Sequence, residues 1–383
     1  MAETNKTALT ACADYQPEHV RAALEDVIGR VGGLDWVKPG MRVGVKLNLC
    51  AARKPEQAAT THPVMAAELT KMLVERGASV VLGDSPGEPF TAPVINRLYN
   101  VCGMEAAEKA GGELNRNFGH HTASFPEAVT VKTFEYCDWL RDCDAVISFC
   151  KLKSHGLMGM TAAVKNLYGC IPGTVKSEYH FRYPDPDAFV NMLVDLNEFV
   201  RPRLCLTDAV EIMEGNGPTQ GTPRHMGALA AGTDPYELDR MCAWMLGLRE
   251  EEIPYLTAAK NRGLLAPAGE IPERERAESF RITDFQRSGA ASSWFVSGPE
   301  DGALRSLMKK GLALAMRSRP QLYEGCTGCG HCARLCPAHA ITVKNKKAVI
   351  DRKKCVRCFC CQEFCPSGAM RVRRSLAARL LSR

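Results

Sequence analysis

The sequence predicts an α/β protein with a mostly parallel sheet, flanking helices and a small C-terminal α+β module. Short apolar segments with strand character alternate with helix-like segments through much of the 383-residue chain. This alternation is typical of βαβ units around a parallel sheet. The second observation is a pair of closely spaced cysteine runs near the C-terminus, beginning at Cys326 and Cys355. Cysteine runs of this density predict a separate metal-binding module.

The first 110 residues contain three predicted helices and two predicted strands. Val43, Val45, Leu47 and Leu49 alternate with small or polar residues, which is the period of a strand. A second, buried strand is expected where a short apolar run is followed by a polar turn. Glycines close two of the helices, as glycines commonly do. The predicted elements are the helices Glu18–Val31, Val64–Glu75 and Val94–Ala110, and the strands at 43–49 and Ser79–Gly83.

The rest of the α/β region continues the alternation up to the cysteine runs. Its predicted strands are Val129–Val131, Asp144–Phe149, Leu204–Asp208 and Gly227–Gly232, and its predicted helices are Asp187–Val200 and Pro235–Leu246. A glycine-rich loop is expected at Gly215–Gly221, whereas Ile271–Gly289 is charged and weakly patterned. Gly302–Arg317 has an apolar stripe and is predicted to be a stiff helix that docks the C-terminal module.

These patterns predict three parts of the chain. Residues 1–318 form the α/β domain, with a possible division into lobes at 1–208 and 209–318. Residues 320–370 form the cysteine-rich module, and residues 371–383 form a basic tail.

Both cysteine runs read Cys-x2-Cys-x2-Cys-x3-Cys-Pro, which is the spacing of bacterial two-cluster ferredoxins. Three thiolates of one run bind one cubane, and the fourth reaches the other cluster. One predicted [4Fe–4S] cluster is therefore held by Cys326, Cys329, Cys332 and Cys365, and the other by Cys355, Cys358, Cys361 and Cys336. A zinc ribbon or a set of disulfides is the alternative, but zinc sites rarely use three consecutive x2 spacings.

The other cysteines are assigned by their surroundings. Cys12, Cys102, Cys205 and Cys242 stand among apolar residues and are predicted to be buried thiols. Cys50, Cys150 and Cys170 flank the polar segments described below, where a further metal centre or a redox thiol is an alternative to plain burial. Cys360 is expected to be a spare thiol beside a cluster.

Composition places the protein among soluble globular proteins, with 45% hydrophobic and 24% charged residues. The first residues show neither a secretory signal nor a transmembrane span. The 18 cysteines then favour a reducing cytoplasm, where thiols serve metals and cores. From Pro320 onward thirteen Lys and Arg face three Asp and Glu. Bound clusters are anionic and would offset much of this charge, so nucleic-acid binding is not expected.

The carboxyl ends of four predicted strands carry polar groups, and ligands of open α/β sheets bind at that edge. These groups are Lys46 and Asn48, then Asp84 and Ser85, then Lys151, Lys153 and His155, and finally Asp208. If Gly159–Tyr168 is helical, Thr161 and Lys165 share one face, with Asn166 next to them. A helix N-terminus and several lysines aimed at one place suit a carboxylate or a phosphate. A solvated basic loop is the alternative.

Several of these motifs resemble one known family. They are Lys46-Leu-Asn48, Gly83-Asp-Ser-Pro-Gly87, Lys151-x-Lys153-x-His155, Thr161-x3-Lys165-Asn166-x2-Gly169 and Asp208-x5-Glu214-Gly-x-Gly-Pro-x2-Gly221. Together they look like the domain of unknown function 362 over roughly residues 40–260. That family is often fused to a two-cluster ferredoxin module. The resemblance implies this architecture and leaves the reaction open.

A second resemblance concerns three residues of the same region. His155, Lys165 and His180 stand ten and then fifteen residues apart, with Pro172-Gly173 in between. This spacing is similar to that of the lactate racemase family, in which such a Lys carries a nickel-pincer nucleotide and such His residues bind metal or act as bases. The resemblance implies a related fold; the rest of that family's pattern is not evident in this sequence.

The favoured interpretation is an iron–sulfur oxidoreductase or electron-transfer protein of anaerobic metabolism. It would pass electrons between a soluble partner and an anionic small molecule or further cofactor. Lys165, Asp208 and His155 would perform the chemistry, with His155 as the proton carrier because histidine titrates near neutrality. One alternative is a non-redox isomerase or transferase with structural clusters. Another is a relay or binding protein without turnover. No Gly-x-Gly-x-x-Gly fingerprint follows a strand, so NAD is not expected.

Overall fold

A computed structural model describes residues 6–183, 185–266, 271–288 and 318–373 of the chain. Two of the predicted segments lie largely or entirely outside these residues. They are the helix at Gly302–Arg317 and, beyond residue 373, the basic tail.

One eight-stranded sheet forms the centre of the α/β domain, in the order β1-β10-β9-β7-β2-β3-β4 with β8 paired to β7. Its strands are β1 (Thr7–Ala11), β2 (Arg42–Leu47), β3 (Ser79–Gly83), β4 (Glu113–Leu114), β7 (Ala145–His155), β8 (Gly159–Thr161), β9 (Leu204–Glu214) and β10 (Thr222–Gly232). A separate hairpin consists of β5 (His120–Ser124) and β6 (Thr133–Cys137). The sheet contains strands from both sides of residue 208, so the two possible lobes share one sheet.

The five strands from β9 to β4 run parallel, whereas β10, β1 and β8 pair antiparallel. In the register of the parallel part, Val45 lies opposite both Leu82 and Ile147. This confirms the predicted fold class. Because the central strands are parallel, their carboxyl ends meet at one edge of the sheet, where ligands are expected.

Helices cover both faces of the sheet, and proline stands in the first turn of six of them. The helices of the α/β domain are Pro17–Arg30, Pro63–Val74, Ala92–Cys102, Glu105–Lys109, Asp138–Arg141, Ala163–Asn166, Val175–Arg182, Pro186–Val200, Pro235–Met245, Pro254–Asn261 and Arg274–Glu278. Short 3-10 turns lie at Pro55–Gln57, Leu167–Cys170 and Glu250–Glu252.

The core is divided into two layers by the sheet, and neighbouring strand residues alternate between them. Leu229 and Ala231 of β10 pack on one side with the helices Pro17–Arg30 and Pro63–Val74, while Ala230 packs on the other. This alternation follows from the two-residue period of a strand.

Three predicted elements differ in the structure. Val129–Val131 is not a strand, because its three backbone N–H groups donate to the buried carboxylate of Asp195 rather than to a neighbouring strand. The predicted helix Val94–Ala110 is interrupted at Gly103, which has a φ of +73°. The predicted helix Gly159–Tyr168 begins instead as strand β8, its α-helical part is confined to Ala163–Asn166, and a 3-10 turn follows at Leu167–Cys170.

The C-terminal module contains two small antiparallel sheets and two short helices. The strands are β11 (Arg319–Leu322) paired with β14 (Met370–Arg373), and β12 (Ile341–Lys344) paired with β13 (Lys347–Ile350). The helices are His331–Arg334 and Cys360–Glu363. Pairing of β11 with β14 joins the two ends of the module, and β14 takes up the first residues of the predicted tail.

The module docks on the carboxyl edge of the parallel strands. Gln220 donates to the carbonyl of Cys365 at 2.6 Å, and Thr219 donates to the carbonyl of Glu363 at 2.5 Å. Phe364 lies so close to Gly87 that a Cβ at this glycine would stand 2.0 Å from the ring. The docked arrangement expected from the sequence is therefore present. It brings the helix Cys360–Glu363 to the edge where the polar side chains converge.

Candidate functional site

A cavity lies between the sheet edge and the docked module. Residues of the α/β domain form most of its wall, and Cys360, Glu363 and Phe364 of the module complete it. The α/β residues lining it are Asn48, Cys50, Asp84, Ser85, Pro86, Gly87, Lys153, His155, Thr161, Lys165, Asn166, Tyr168, Gly169, Lys176, Ser177, His180 and Pro218.

A buried polar network forms the floor of the cavity. Lys46 forms an ion pair of 2.7 Å with Asp84, and both side chains are almost completely buried. Lys46 also donates to Asn166 Oδ1 at 3.2 Å, which accepts from Asn48 Nδ2 at 3.1 Å. Asn48 Oδ1 in turn accepts from Lys153 Nζ at 2.6 Å. These contacts hold Lys46 and Lys153 in one hydrogen-bonded network at the floor of the cavity.

Gly169 lets the backbone approach this network closely. A Cβ at that position would lie 2.1 Å from Asp84 Oδ1 and 2.4 Å from Lys46 Nζ. No other residue type fits without displacing the buried ion pair.

Lys165 differs from the other lysines of the cavity in having no hydrogen-bond or ion-pair partner among the described residues. Its ammonium group lies 4.6 Å from the centre of the Tyr168 ring. Burial lowers the pKa of Lys165, and the nearby Glu363 carboxylate opposes this shift. Nζ of Lys165 is therefore available to a ligand.

The short helix that carries Lys165 is held by a buried carboxylate. Asp239 accepts from the backbone N–H groups of Ala163 and Val164 at 2.8 and 3.1 Å. Burial raises the pKa of Asp239 to about 7 although these hydrogen bonds act in the opposite direction. Asp239 thus fixes the first turn of the helix and the direction in which Lys165 points.

His155 is held in one tautomer by the backbone. Its Nδ1 accepts from the N–H groups of Leu157 and Met158 at 3.1 and 3.2 Å, so Nε2 carries the proton of the neutral ring. Nε2 is buried without a hydrogen-bond partner among the described residues, and Glu363 Oε1 lies 3.5 Å from it. Burial lowers the pKa of His155, while Glu363 opposes the shift.

Glu363 is the acidic group that the module contributes. Burial alone would raise the pKa of Glu363, but the contact with His155 and the charge of Lys165 lower it to about 2. Its carboxylate is therefore ionised at neutral pH and partly offsets the lysines of the cavity.

Three further residues complete the wall on the side of the helix Val175–Arg182. His180 stacks on Phe189 with ring centres 4.3 Å apart, and burial lowers its pKa to about 3, so the ring is neutral. Lys176 donates to backbone carbonyls, and burial lowers its pKa to about 8. The Ser177 hydroxyl is buried without a partner among the described residues.

Lys151 and Asp208 form a second polar network that does not line the cavity. Lys151 Nζ lies 2.9 Å from Asp208 Oδ2, and both side chains are buried. Tyr15 donates to Asp208 Oδ1 at 3.0 Å and accepts from Lys151 at 2.6 Å. His62 donates its backbone N–H to Asp208 and stacks on Tyr15. These groups are paired with one another.

Most of the residues that the sequence predicted for binding come together in the cavity: Asn48, Asp84, Ser85, Lys153, His155, Thr161, Lys165, Asn166 and His180. Lys46 lies directly beneath it, whereas Lys151 and Asp208 lie apart. Sequence analysis missed Lys176 and Glu363. Lys176 could have been recognised, because it stands only three residues after Gly173 of the Pro172-Gly173 motif. Glu363 is harder to recognise, because it stands within a cysteine run whose spacing points only to the thiols.

Two smaller cavities lie within the module. Cys326, Cys329, Cys332 and Cys365 line one, and Cys336, Cys355, Cys358 and Cys361 line the other, with Cys360 beside them. Each set contains three thiols of one run and the fourth thiol of the other. Four thiols around one space match the ligands of an iron–sulfur cubane. The crossed grouping expected from the spacing is therefore present.

Cys360 connects the candidate site with the second of these cysteine cavities. Cys360 lines both the cavity that contains Lys165 and the cavity that contains Cys358 and Cys361. One short helix, Cys360–Glu363, therefore separates the predicted cluster position from the ligand position.

The remaining cysteines agree in part with their predicted roles. Cys12, Cys102, Cys205 and Cys242 are buried, as predicted. Of Cys50, Cys150 and Cys170, only Cys50 lines the cavity, with its sulfur 3.3 Å from Lys153 Nζ. Among the described residues, including those of the cysteine cavities, no three His, Cys, Asp or Glu side chains are arranged to hold a single metal ion.

The fold and the cysteine sets define a protein in which an α/β domain carries a ferredoxin-type iron–sulfur module. The chain matches the model of the family "domain of unknown function (DUF362)" over residues 43–244 and that of a "4Fe-4S dicluster domain" over residues 321–366. The chain belongs to the DUF362 family.

One curated relative and two solved structures can be compared. A "thylakoid-associated protein" of Synechocystis sp. is 32% identical over 274 residues, which are 69% of this chain and 81% of the relative. The lactate racemase apoprotein of Thermoanaerobacterium thermosaccharolyticum has a TM-score of 0.40 at 13% identity, covering 63% of this chain and 57% of that one. A Thermotoga maritima protein has a TM-score of 0.35 at 15% identity, with 57% and 56% covered. Neither structural likeness is close enough to support an inference.

None of the helices within the described residues is both long and apolar enough to cross a membrane.

Proposed function

We propose that this protein is an iron–sulfur oxidoreductase or electron-transfer protein that acts on an anionic small molecule or cofactor in the Lys165 cavity. In this proposal the module binds two [4Fe–4S] clusters, one in each cysteine cavity. When bound, the clusters supply single electrons. A soluble redox partner exchanges these electrons with the module, and the cytoplasm is the proposed location, since the 18 cysteines form no disulfide.

The position of Cys360 carries the proposal. Cys360 forms part of the wall of the ligand cavity and also of the cavity of Cys336, Cys355, Cys358 and Cys361. A module that functions independently of the α/β domain is not expected to contribute side chains to the ligand cavity. Here Glu363 and Phe364 from the module also line it, which supports one functional unit.

The unpaired donors of the cavity support an anionic ligand. Lys165 offers its ammonium group, His155 offers Nε2–H, and Ser177 offers a hydroxyl, and none of the three has a hydrogen-bond partner among the described residues. Buried donors are normally satisfied, so His155 Nε2 and the Ser177 hydroxyl favour a ligand with acceptors, and the half-buried Lys165 lies beside them in the same cavity. Lys153 and Lys176 also line the cavity, and lysines there favour a carboxylate or a phosphate.

The roles of the individual residues follow from their contacts. Lys165 neutralises the ligand, and His155 holds the exchangeable proton at Nε2, next to Glu363. Asp239 orients Lys165 through its helix. Asp208 was predicted to take part in the chemistry, but its pairing with Lys151 and Tyr15 favours a structural role.

The experiment is anaerobic purification followed by chemical analysis. We expect about eight iron atoms per chain and a small anionic molecule released on unfolding. Mass spectrometry of that molecule before and after reduction of the protein should show a redox change. Lys165→Met should lose the molecule but keep the iron, whereas the exposed Lys109→Met should keep both. About four iron atoms, zinc in their place, or a molecule that reduction leaves unchanged would contradict the proposal.

A non-redox isomerase or transferase is the second candidate, because the cavity brings His155, Lys165 and His180 together. In that case Lys165 would hold a cofactor and the histidines would move protons or bind a metal. A metal–nucleotide adduct recovered with the protein would favour this candidate. Clusters without any retained molecule would favour a relay or binding protein.

A further inference from the structure

The turn between β12 and β13 presents lysines on the surface of the module. Lys344 and Lys347 pair at the end of the hairpin, with Asn345 and Lys346 between them at φ of 49° and 57°. This is the conformation of a tight two-residue hairpin turn. Lys344, Lys346 and Lys347, called here the lysine turn, are exposed, and none forms an ion pair with a described residue.

The lysine turn lies against the first cysteine loop. A Cβ at Gly328, between Cys326 and Cys329, would lie 2.6 Å from the carbonyl oxygen of Lys346. Val343 and Ala348 of the same hairpin line the cavity of Cys326, Cys329, Cys332 and Cys365. Cys329 is exposed, and Val343 is 38% exposed. The cysteine cavity therefore reaches the surface beside the lysine turn.

The two cysteine cavities differ in what they face. The cavity with Cys358 shares Cys360 with the ligand cavity, whereas the cavity with Cys329 opens beside the lysine turn. In the proposed function electrons pass between solution and a buried ligand, so the cysteine cavity beside the ligand is the inner position and the one near the surface is the outer position. The geometry assigns the outer position to the cavity of Cys326, Cys329, Cys332 and Cys365.

We propose that the lysine turn is the docking site of a small acidic electron-transfer protein. The inference rests on the proposed function. In the exchange, the reduced partner loses one electron and the cluster held by Cys326, Cys329, Cys332 and Cys365 gains it, with no bond formed or broken. Opposite charges on two surfaces steer such encounters and raise their rate.

The surroundings of the turn favour a protein over a membrane. Residues 338–350 contain no acidic side chain, and the nearby Asp351 accepts from the backbone N–H groups of Lys353 and Lys354. The exposed apolar side chains of the hairpin are Val343 and Val349. Insertion into a lipid surface requires a larger apolar face than two valines provide.

The test uses the cluster-loaded full chain and an acidic flavodoxin as the probe. The triple variant K344E/K346E/K347E is compared with K6E/K38E/K109E. The three control lysines are also exposed, but they precede β1, β2 and β4, at the edge of the sheet opposite the docked module. Binding of oxidised flavodoxin is measured by biolayer interferometry, and reduction of the clusters by flavodoxin hydroquinone is measured by stopped flow.

We expect the lysine-turn variant to bind flavodoxin at least about tenfold more weakly and to be reduced at least about tenfold more slowly at low salt. The control variant and the unchanged protein should agree within about twofold. High salt should abolish the difference in binding and reduction rate between these two proteins and the lysine-turn variant. Dithionite should reduce all three proteins alike, which would also show that the proposed clusters are intact.

The docking site would be overturned if salt had no effect on how flavodoxin binds and reduces the unchanged protein. Equal losses in both triple variants would overturn it too, because they would reflect net charge alone. Lysine-turn-dependent sedimentation with anionic phospholipid vesicles, with flavodoxin rates unaffected, would reassign the surface to a membrane. In each of these cases normal reduction by dithionite and retention of the cavity ligand would leave the proposed function standing.

Discussion

Glu363 Oε1 of the ferredoxin-type module lies 3.5 Å from His155 Nε2 of the α/β domain. Nδ1 of His155 is occupied by two backbone N–H groups, so Nε2 is the nitrogen that faces both the cavity and Glu363. The histidine predicted to carry protons therefore has a charged partner from the other domain. The ligand cavity is complete only when the module is docked.

Replacing Glu363 by Gln should strengthen anion binding. The carboxylate is ionised at neutral pH and lies beside the donors of the cavity, so its removal takes away one repulsive charge. We expect sulfate to bind roughly three- to tenfold more tightly, or about 1 kcal/mol, by calorimetry. The exposed Glu324→Gln is the control for net charge of the module. Unchanged or weaker sulfate binding would mean that the anion does not bind next to His155.

Replacing Gly87 by Ala should displace the module. A Cβ there would lie 2.0 Å from the Phe364 ring, so the ring or the backbone must move, at about 1–3 kcal/mol. We expect faster hydrogen exchange in the Cys360–Glu363 helix while the iron content is retained. Gly29→Ala is the matched control, since nothing lies within 4 Å of a Cβ at that position. Identical exchange in the two variants would show that Phe364 does not lock the module in place.

Much of the fold follows from local patterns in the sequence. The alternation of Val43, Val45 and Leu47 and the apolar run Ser79–Gly83 each predicted a strand, and the structure contains both. Val129–Val131 has the same local character, yet its backbone is bonded to Asp195, 66 residues away from Val129. A periodic pattern contains no information about such a long-range side-chain partner.

The site was predictable where polar residues end neighbouring parallel strands. Asn48, Asp84 and His155 meet because the strands are parallel and adjacent. Asp208 was misleading, because β9 continues to Glu214 and places this carboxylate within the strand beside Lys151. Glu363 could not be assigned from sequence, because its position depends on how the module docks.

Replacement by Met should lower the stability of the protein at Lys46 and its affinity for sulfate at Lys165. Lys46→Met leaves the buried Asp84 without its ion pair, which should lower the free energy of unfolding by about 3–5 kcal/mol. Lys165 has no such partner, so Lys165→Met should unfold at the same denaturant concentration or a higher one but bind sulfate at least about tenfold more weakly. Equal destabilisation by the two variants would show that Lys165 is a structural residue.

Sulfate affinity should fall as the pH rises through about 8. Burial lowers the pKa of Lys176 to about 8, so its positive charge is complete below that pH and lost above it. Sulfate keeps its own charge over this range, and calorimetry between pH 6.5 and 9.5 therefore reports on the protein. In Lys176→Gln the affinity should be lower at pH 7, and the fall near pH 8 should disappear. A fall that persists unchanged in the variant would assign it to another group.

The coupling between the ligand cavity and the inner cluster position can be measured by an anaerobic redox titration followed by electron paramagnetic resonance. Cys336→Ser and Cys365→Ser assign the signals, because these thiols lie in different cysteine cavities. Saturating sulfate should lower the potential of the cluster held by Cys336, Cys355, Cys358 and Cys361 by roughly 30 mV, which corresponds to about threefold weaker sulfate binding to its reduced state. The outer cluster should shift by only a few millivolts. A shift of the outer cluster alone, or of neither cluster, would contradict one redox unit formed by the module and the Lys165 cavity.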